Sequence, residues 1–366
     1  MKWNWKYSVV VAVLMSLSKI GFCQDPVYSS FYNNPVYYNP ASPGVIDGNE
    51  FHLNFREQWP GIPSSFRAFN YSSSHQVSGL FSMGLIASSN SEGESRLLTN
   101  FAGISIAVPI RIGKSFVISS GITSTFGQKR IDWSKMEFDD QFDKLYGKVN
   151  PTNFPIPDES RKNYGDLSMG ISLKGYTKKL SNKFNVSGIF GAALHHAAVF
   201  PNPNFIGTDV SAIPFKQVYH LNIWLIDAKG NLKNGLSPAL MYEKQGQMQT
   251  FNFSTQVKLN YLYVLAGFRN TNYTLSLKKF DSFIFGFGYI NTDNKQKTTK
   301  IGYSYDFTVS KLVGGAYGSH EIFMVYSIRN GGYWFGGGGN GNSSRNGKNG
   351  KNRKGKMRHD IECPTF

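Results

Sequence analysis

Alternation with a period of two runs through most of this chain, and it predicts strands, because successive side chains on a strand face opposite ways. From Phe251 the odd positions read Phe251, Phe253, Thr255, Val257, Leu259 and Tyr261, and the even ones read Asn252, Ser254, Gln256, Lys258 and Asn260. Ile301, Tyr303, Tyr305, Phe307 and Val309 oppose Gly302, Ser304, Asp306, Thr308 and Ser310 in the same way. Leu167, Met169, Ile171 and Leu173 oppose Asp166, Ser168, Gly170, Ser172 and Lys174. In each run the charges keep to one face. Such segments are expected at 50–58, 65–75, 78–88, 99–110, 114–126, 164–175, 183–195, 217–227, 236–244, 249–259, 261–269, 281–291, 298–310 and 318–328. The stretch 273–280 stays open as an extra short strand or the top of a loop.

A single alternating strand fits a soluble sandwich as well as a membrane barrel, so the choice rests on detail. Phe283, Phe285, Phe287 and Tyr289 alternate with Ile284, Gly286 and Gly288, which sets large aromatics opposite almost nothing. That suits lipid outside and a crowded interior. Trp59, Tyr71, Tyr219, Tyr261, Tyr289 and Tyr326 fall at strand ends, where interfacial girdles lie. Turning Lys258 or Lys174 to lipid at mid-depth would cost about 2–4 kcal/mol. With an even strand count both ends of the barrel sequence lie in the periplasm. The two long connections, 128–163 and 197–216, then share the extracellular side, while the periplasmic turns are short. The expectation is an all-β, transmembrane antiparallel β-barrel over 49–330, of about 14 strands within roughly 12 to 16.

No run of about 18 or more apolar residues follows the N-terminus, which excludes a helical membrane protein. Residues 1–23 have the layout of a secretory signal: basic Lys2 and Lys6, an apolar stretch from Val9 to Leu17, and Gly21-Phe22-Cys23 before a cleavage expected after Cys23. Lipidation of Cys23 is disfavoured by the bulky Phe22. Loss of Cys23 leaves Cys363 alone, so no intramolecular disulfide is expected. Residues 24–48 are expected as a periplasmic N-terminal segment, and 331–366 as a flexible, basic periplasmic tail rich in Gly, Asn and Lys. Much of the formal charge of +16 sits in that tail. An exported protein meets anionic lipid, lipopolysaccharide and cell-wall polymer, so nucleic acid is not an expected partner.

Candidate chemistry is thin. His195-His196 suggests a metal or catalytic pair, but neighbouring strand residues are expected to diverge, which leaves a structural role at the barrel rim. Glu137, Asp139, Asp140 and Asp143 lack the glycine and spacing of a calcium loop. The Gly336 to Gly339 run lacks the Gly-Lys-Ser/Thr ending of a phosphate loop. Ser, Asp and His occur without a local catalytic signature. No catalytic residue, metal ligand or cofactor is expected.

Several motifs carry a resemblance. Gln24-Asp25-Pro26 is followed by Phe31-Tyr32-Asn33-Asn34-Pro35 and Asn39-Pro40-Ala41. Asn54-Phe55-Arg56-Glu57-Gln58-Trp59-Pro60, Ile301-Gly302-Tyr303-Ser304-Tyr305-Asp306, Gly318-Ser319-His320-Glu321-Ile322 and Cys363-Pro364-Thr365-Phe366 follow. Through these the mature chain resembles the PorP/SprF family of outer-membrane proteins of the type IX secretion and gliding apparatus. The resemblance implies a non-catalytic barrel that supports secretion or surface attachment of an adhesin carrying a C-terminal secretion domain.

Docking is expected on the long loops, with Trp133, Phe200 and Phe205 as anchors. Trp59 and Asp306 are motif residues for which partner contact and a purely structural role are weighed equally. Arg345, Lys348, Lys351, Arg353, Lys354, Lys356 and Arg358 are expected to meet periplasmic machinery or peptidoglycan. The competing reading is a small-solute porin or hydrophobic-compound channel. A barrel filled by side chains or by its own termini should conduct little.

Overall fold

In the computed structural model residues 25–328 are described, apart from 63–64, 94–96, 114, 144, 182–183, 206–212, 228–233, 272–279, 294–296 and 310–316. The signal segment, the tail with its seven basic residues, both cysteines and nearly all of the open stretch 273–280 lie outside the described residues.

Five strands open the barrel: β1 (Asn49–Gln58), β2 (Phe66–Gln76), β3 (Ser82–Glu92), β4 (Leu97–Ile112) and β5 (Phe116–Arg130). A small hairpin, β6 (Phe142–Asp143) and β7 (Gly147–Lys148), stands apart in the first long connection. The barrel continues with β8 (Arg161–Ser181), β9 (Phe184–Phe200), β10 (Lys216–Asp227), β11 (Asn234–Gln245) and β12 (Met248–Leu259). It ends with β13 (Leu262–Thr271), β14 (Phe280–Thr292), β15 (Lys297–Thr308) and β16 (Ser319–Ile328). Each barrel strand pairs antiparallel with its sequence neighbours, β5 with β8 across the hairpin, and β16 closes on β1 with Asn49 opposite Ile328 and Gln58 opposite Ser319. The cylinder therefore has fourteen strands, as the alternation predicts. The strands flanking the long connections run further than expected, which shortens those loops to 131–160 and 201–215.

Its wall is inside-out relative to a soluble protein. Ile122, Ile171, Phe285 and Phe287 are exposed on the outside, while Asn252, Ser254, Gln256 and Lys258 are buried within. An apolar band of this kind is what a bilayer covers. Gly286 and Gly288 make room inside: a Cβ at Gly288 would come within 2.4 Å of the Tyr263 hydroxyl.

One expectation fails. Residues 24–48 do not stand below the barrel in the periplasm; as far as they are described, from Asp25 onward, they fill its lumen. About eight strands make a barrel that wall side chains alone can fill, so fourteen leave a bore to occupy. The segment is also too aromatic to remain in water. Tyr28, Phe31, Tyr37 and Tyr38 pack with Ala193, Val218, Ala239 and Met241 of the wall into the main buried apolar cluster. Three short turns, at Phe31–Asn33, Pro35–Tyr38 and Ser42–Gly44, compact the chain across the bore. Gly48, at φ 83°, then redirects it into β1.

The plug spans the bore lengthwise. Asp25 lies beside Gln245, His196 and Lys216, near the end that carries the long loops. Asp47 lies beside Lys174 toward the end with the short turns.

Candidate functional site

The sequence motifs converge on the plug. Arg56 of β1, Arg269 of β13, Asp306 of β15 and Glu321 of β16 all point inward and surround Ser29. Ser29 Oγ donates to Asp306 (2.6 Å) and accepts from Arg56 Nη1 (2.6 Å) and Arg269 Nη2 (3.0 Å). The Ser29 and Ser30 backbone N–H groups donate to the two oxygens of Glu321, at 2.6 and 3.0 Å. Arg56 and Arg269 also pair with Asp306 at 2.7 and 3.1 Å. Two cations face two carboxylates in a buried site, so the charges are matched and each depends on the others.

Below this cluster the contacts are mostly neutral. Asn34 donates to Asn70 and accepts from Ser72, both at 2.7 Å. Asn39 donates to the Ile171 carbonyl (2.9 Å) and to Ser172 (3.1 Å). Ser105 donates to the Pro40 carbonyl at 2.7 Å. Here the wall must thin to a bare backbone. A Cβ at Gly121 would sit 2.2 Å from the Pro40 carbonyl oxygen, and one at Gly170 would sit 2.2 Å from Asn39 Oδ1.

A correction concerns His195 and His196. A register shift between Leu167 and Met169 of β8 and their partners on β9, with His196 at φ 59°, marks a β-bulge that breaks the alternation. Both imidazoles therefore reach the plug. His195 Nε2 lies 3.0 Å from the Tyr38 carbonyl oxygen, and His196 bridges Asp25 (3.0 Å) and Asp166 (2.8 Å). They serve different partners. Asp25 also faces Lys216 at 3.6 Å. Burial raises the Asp25 carboxyl's pKa, but His196 and Lys216 outweigh it and hold the group well below the ordinary carboxylate range.

Asp306 is buried and committed to Ser29 and the two arginines, so its contact is with this chain's own N-terminal segment. Trp59 sits at the rim in a left-handed turn (φ 58°), edge-on to Phe66. Trp133 packs against Phe154 and Phe205 and donates to the Glu159 carbonyl, which ties the two long connections together. Phe200 stays 62% exposed. The acids of the first long loop serve the loop itself: Glu137 pairs with Lys148, Asp140 accepts from Thr152 and the Asn153 N–H, and Asp143 accepts from the Leu145 and Tyr146 N–H groups.

Those last two bonds fix the hairpin tip, which presents Leu145 and Tyr146 at 86% and 78% exposure beside Phe142. Sequence reading passed over this tip because its residues show no periodicity. Leu145 and Tyr146 form an adjacent pair of large apolar residues just after Asp143, and that is the signal that was there to find.

Three comparisons bear on kinship. The family model for the type IX secretion system membrane protein PorP/SprF matches residues 20–326. No curated protein matches. Among solved structures, the chain is similar to the toluene transporter TbuX of Ralstonia pickettii, with 11% identity and a TM-score of 0.44 over 81% of this chain and 93% of that one. The toluene transporter TodX of P. putida gives 11%, 0.39, 79% and 92%, and a FadL homologue of Pseudomonas aeruginosa gives 10%, 0.39, 84% and 98%.

Proposed function

Because the chain belongs to the type IX secretion system membrane protein PorP/SprF family, and is thus an outer-membrane component of that secretion system, we propose that it works as a non-catalytic docking barrel. Its partner is an exported adhesin, held at the long-loop end through the adhesin's C-terminal secretion domain. The observation that carries this reading is the filled lumen: Ser29 is locked by Arg56, Arg269, Asp306 and Glu321, so the surfaces left for a partner are the outer ones. At that end Phe200, Leu145 and Tyr146 are exposed anchors on a loop framework stiffened by Trp133 and Phe205.

Contact between the basic run 345–358 and periplasmic machinery or peptidoglycan belongs to the same proposal and is motivated by charge alone.

Affinity purification of the tagged, membrane-extracted protein, with mass spectrometry of what accompanies it, tests the reading. Co-purification of a large secreted protein with a C-terminal secretion domain supports it. A lone barrel that conducts ions in planar bilayers overturns it in favour of a channel, because conduction requires the plug to leave the bore.

A further inference from the structure

At the long-loop end, directly above the lipid-facing wall, β5 and β8 carry a rung of four cations. In their register Lys129 stands opposite Lys162, and Arg130 stands opposite Arg161. Like charges set directly across a strand pair repel one another, so the sheet itself does not account for the rung. Alternation divides it between two faces. Arg130 continues the outward series Ile122, Ser124, Phe126 and Gln128, and Arg161 continues Met169, Leu167, Gly165 and Asn163 on the neighbouring strand. Lys129 and Lys162 back them from the inner face. Both arginines are exposed, and among the described residues neither has a carboxylate within ion-pair range. The acids nearest in sequence face other cations: Asp132 lies 3.7 Å from Lys135, and Glu159 lies 3.5 Å from Lys162.

The height of the arginine pair narrows what it can hold. Phe126, 64% exposed, is the last apolar residue of the outward series on β5. One outward step higher, Gln128 Nε2 donates to Asn163 Oδ1 at 3.0 Å. The arginines come one step above that, about 13 Å along the strand from Phe126. Hydrocarbon covers the wall as far as Phe126, so the amides meet the sugar layer of the leaflet and the arginines meet its charged groups. Two guanidinium forks side by side match a phosphate, which accepts charge-assisted hydrogen bonds from both. In an outer membrane the leaflet at the long-loop end is built of lipopolysaccharide, a phosphorylated glycolipid. We propose that Arg130 and Arg161 clamp a phosphate of one such glycolipid against the β5–β8 wall, with its acyl chains on Phe126, Ile122 and Met169 below. Such a clamp works whether or not the loops hold an exported protein.

The test uses the full-length, detergent-extracted protein and bis-phosphorylated lipid A, with dephosphorylated lipid A as the control. Native mass spectrometry is expected to show a retained lipid A on the barrel and at least tenfold weaker retention of the dephosphorylated form. Arg130→Ser combined with Arg161→Ser should weaken lipid A binding at least tenfold while heat-modifiable migration is kept. Arg67→Ser, at an exposed rim arginine that pairs with Glu57, should leave binding unchanged. Phenylglyoxal labelling of the unaltered protein covers the case in which the double variant fails to fold. Lipid A is expected to protect Arg130 and Arg161, read from peptide masses, and inorganic phosphate at the same concentration is expected not to. No retained lipid A, equal binding of its two forms, an equal loss in the Arg67 variant, equal protection by inorganic phosphate, or protection only by an acidic exported protein would each overturn the assignment.

Discussion

The bore and the long-loop rim of this barrel solve opposite problems. In the bore, buried polar and charged groups of the wall meet residues 25–48 of the same chain, down to a serine shared by two arginines and two carboxylates. At the rim, aromatic groups stiffen the loops, and Leu145, Tyr146 and Phe200 remain uncovered in water. Inside, the charges of the Ser29 cluster find their partners within the chain, while outside, large apolar groups are left uncovered. A change inside should therefore alter the barrel's integrity, and a change outside should alter only its associations.

The largest effect is expected from Asp306→Asn, which takes the shared carboxylate from Arg56 and Arg269. Breaking a buried pair on one side costs about 3–5 kcal/mol. A fall in unfolding temperature, followed by heat-modifiable gel migration, and current through single barrels would report it. Gly121→Leu comes next. It drives a side chain into the Pro40 carbonyl, and overpacking costs about 1–3 kcal/mol. Here the Ser29 cluster is untouched, so protease protection should fall over residues 39–45 and persist over 28–31. Uniform loss along the plug would show that its two halves are not separable.

At the rim, Leu145→Ser combined with Tyr146→Ser should leave stability unchanged and weaken retention of the exported partner by about tenfold, near 1.4 kcal/mol. Unchanged retention would remove the hairpin from the docking surface. The smallest effect is electrostatic. The folded Asp25 pKa lies below the ordinary 3.8, so its contact with His196 and Lys216 is fully stabilising above that pH and is lost as pH falls through the folded value. Protection against hydrogen exchange at residues 25–29, taken relative to intrinsic exchange at each pH, should be equal at pH 7 and pH 5 and fall only in stronger acid.

The wall was legible because it obeys a period that lipid enforces: every misplaced inward charge would face hydrocarbon. The plug was not, because residues 25–48 have no period, and their tyrosines and asparagines read equally well as a polar tether. Its traces were present in the wall as Gly121 and Gly170, inward positions with no side chain, but a missing side chain does not say what fills the space. His195-His196 shows where the period rule itself stops. There the extra residue of a bulge lets two consecutive imidazoles face the plug where strict alternation allows one. Asp306 was read as a motif residue with either a partner or a structural role. Only the fold shows that its neighbour is Ser29, 277 positions away.

The chain order of the Ser29 cluster also constrains biogenesis. Arg56 belongs to the first barrel strand and Glu321 to the last, and these two strands form the seam where the cylinder shuts. Ser29 therefore cannot acquire its full set of partners until the final hairpin has arrived. A nascent barrel that zipped its seam over an empty bore would have to admit two dozen residues through a finished opening. The N-terminal segment is thus better seen as a mandrel on which the wall is wound, and Ser29 as the point that registers the meeting of the two ends of the sheet.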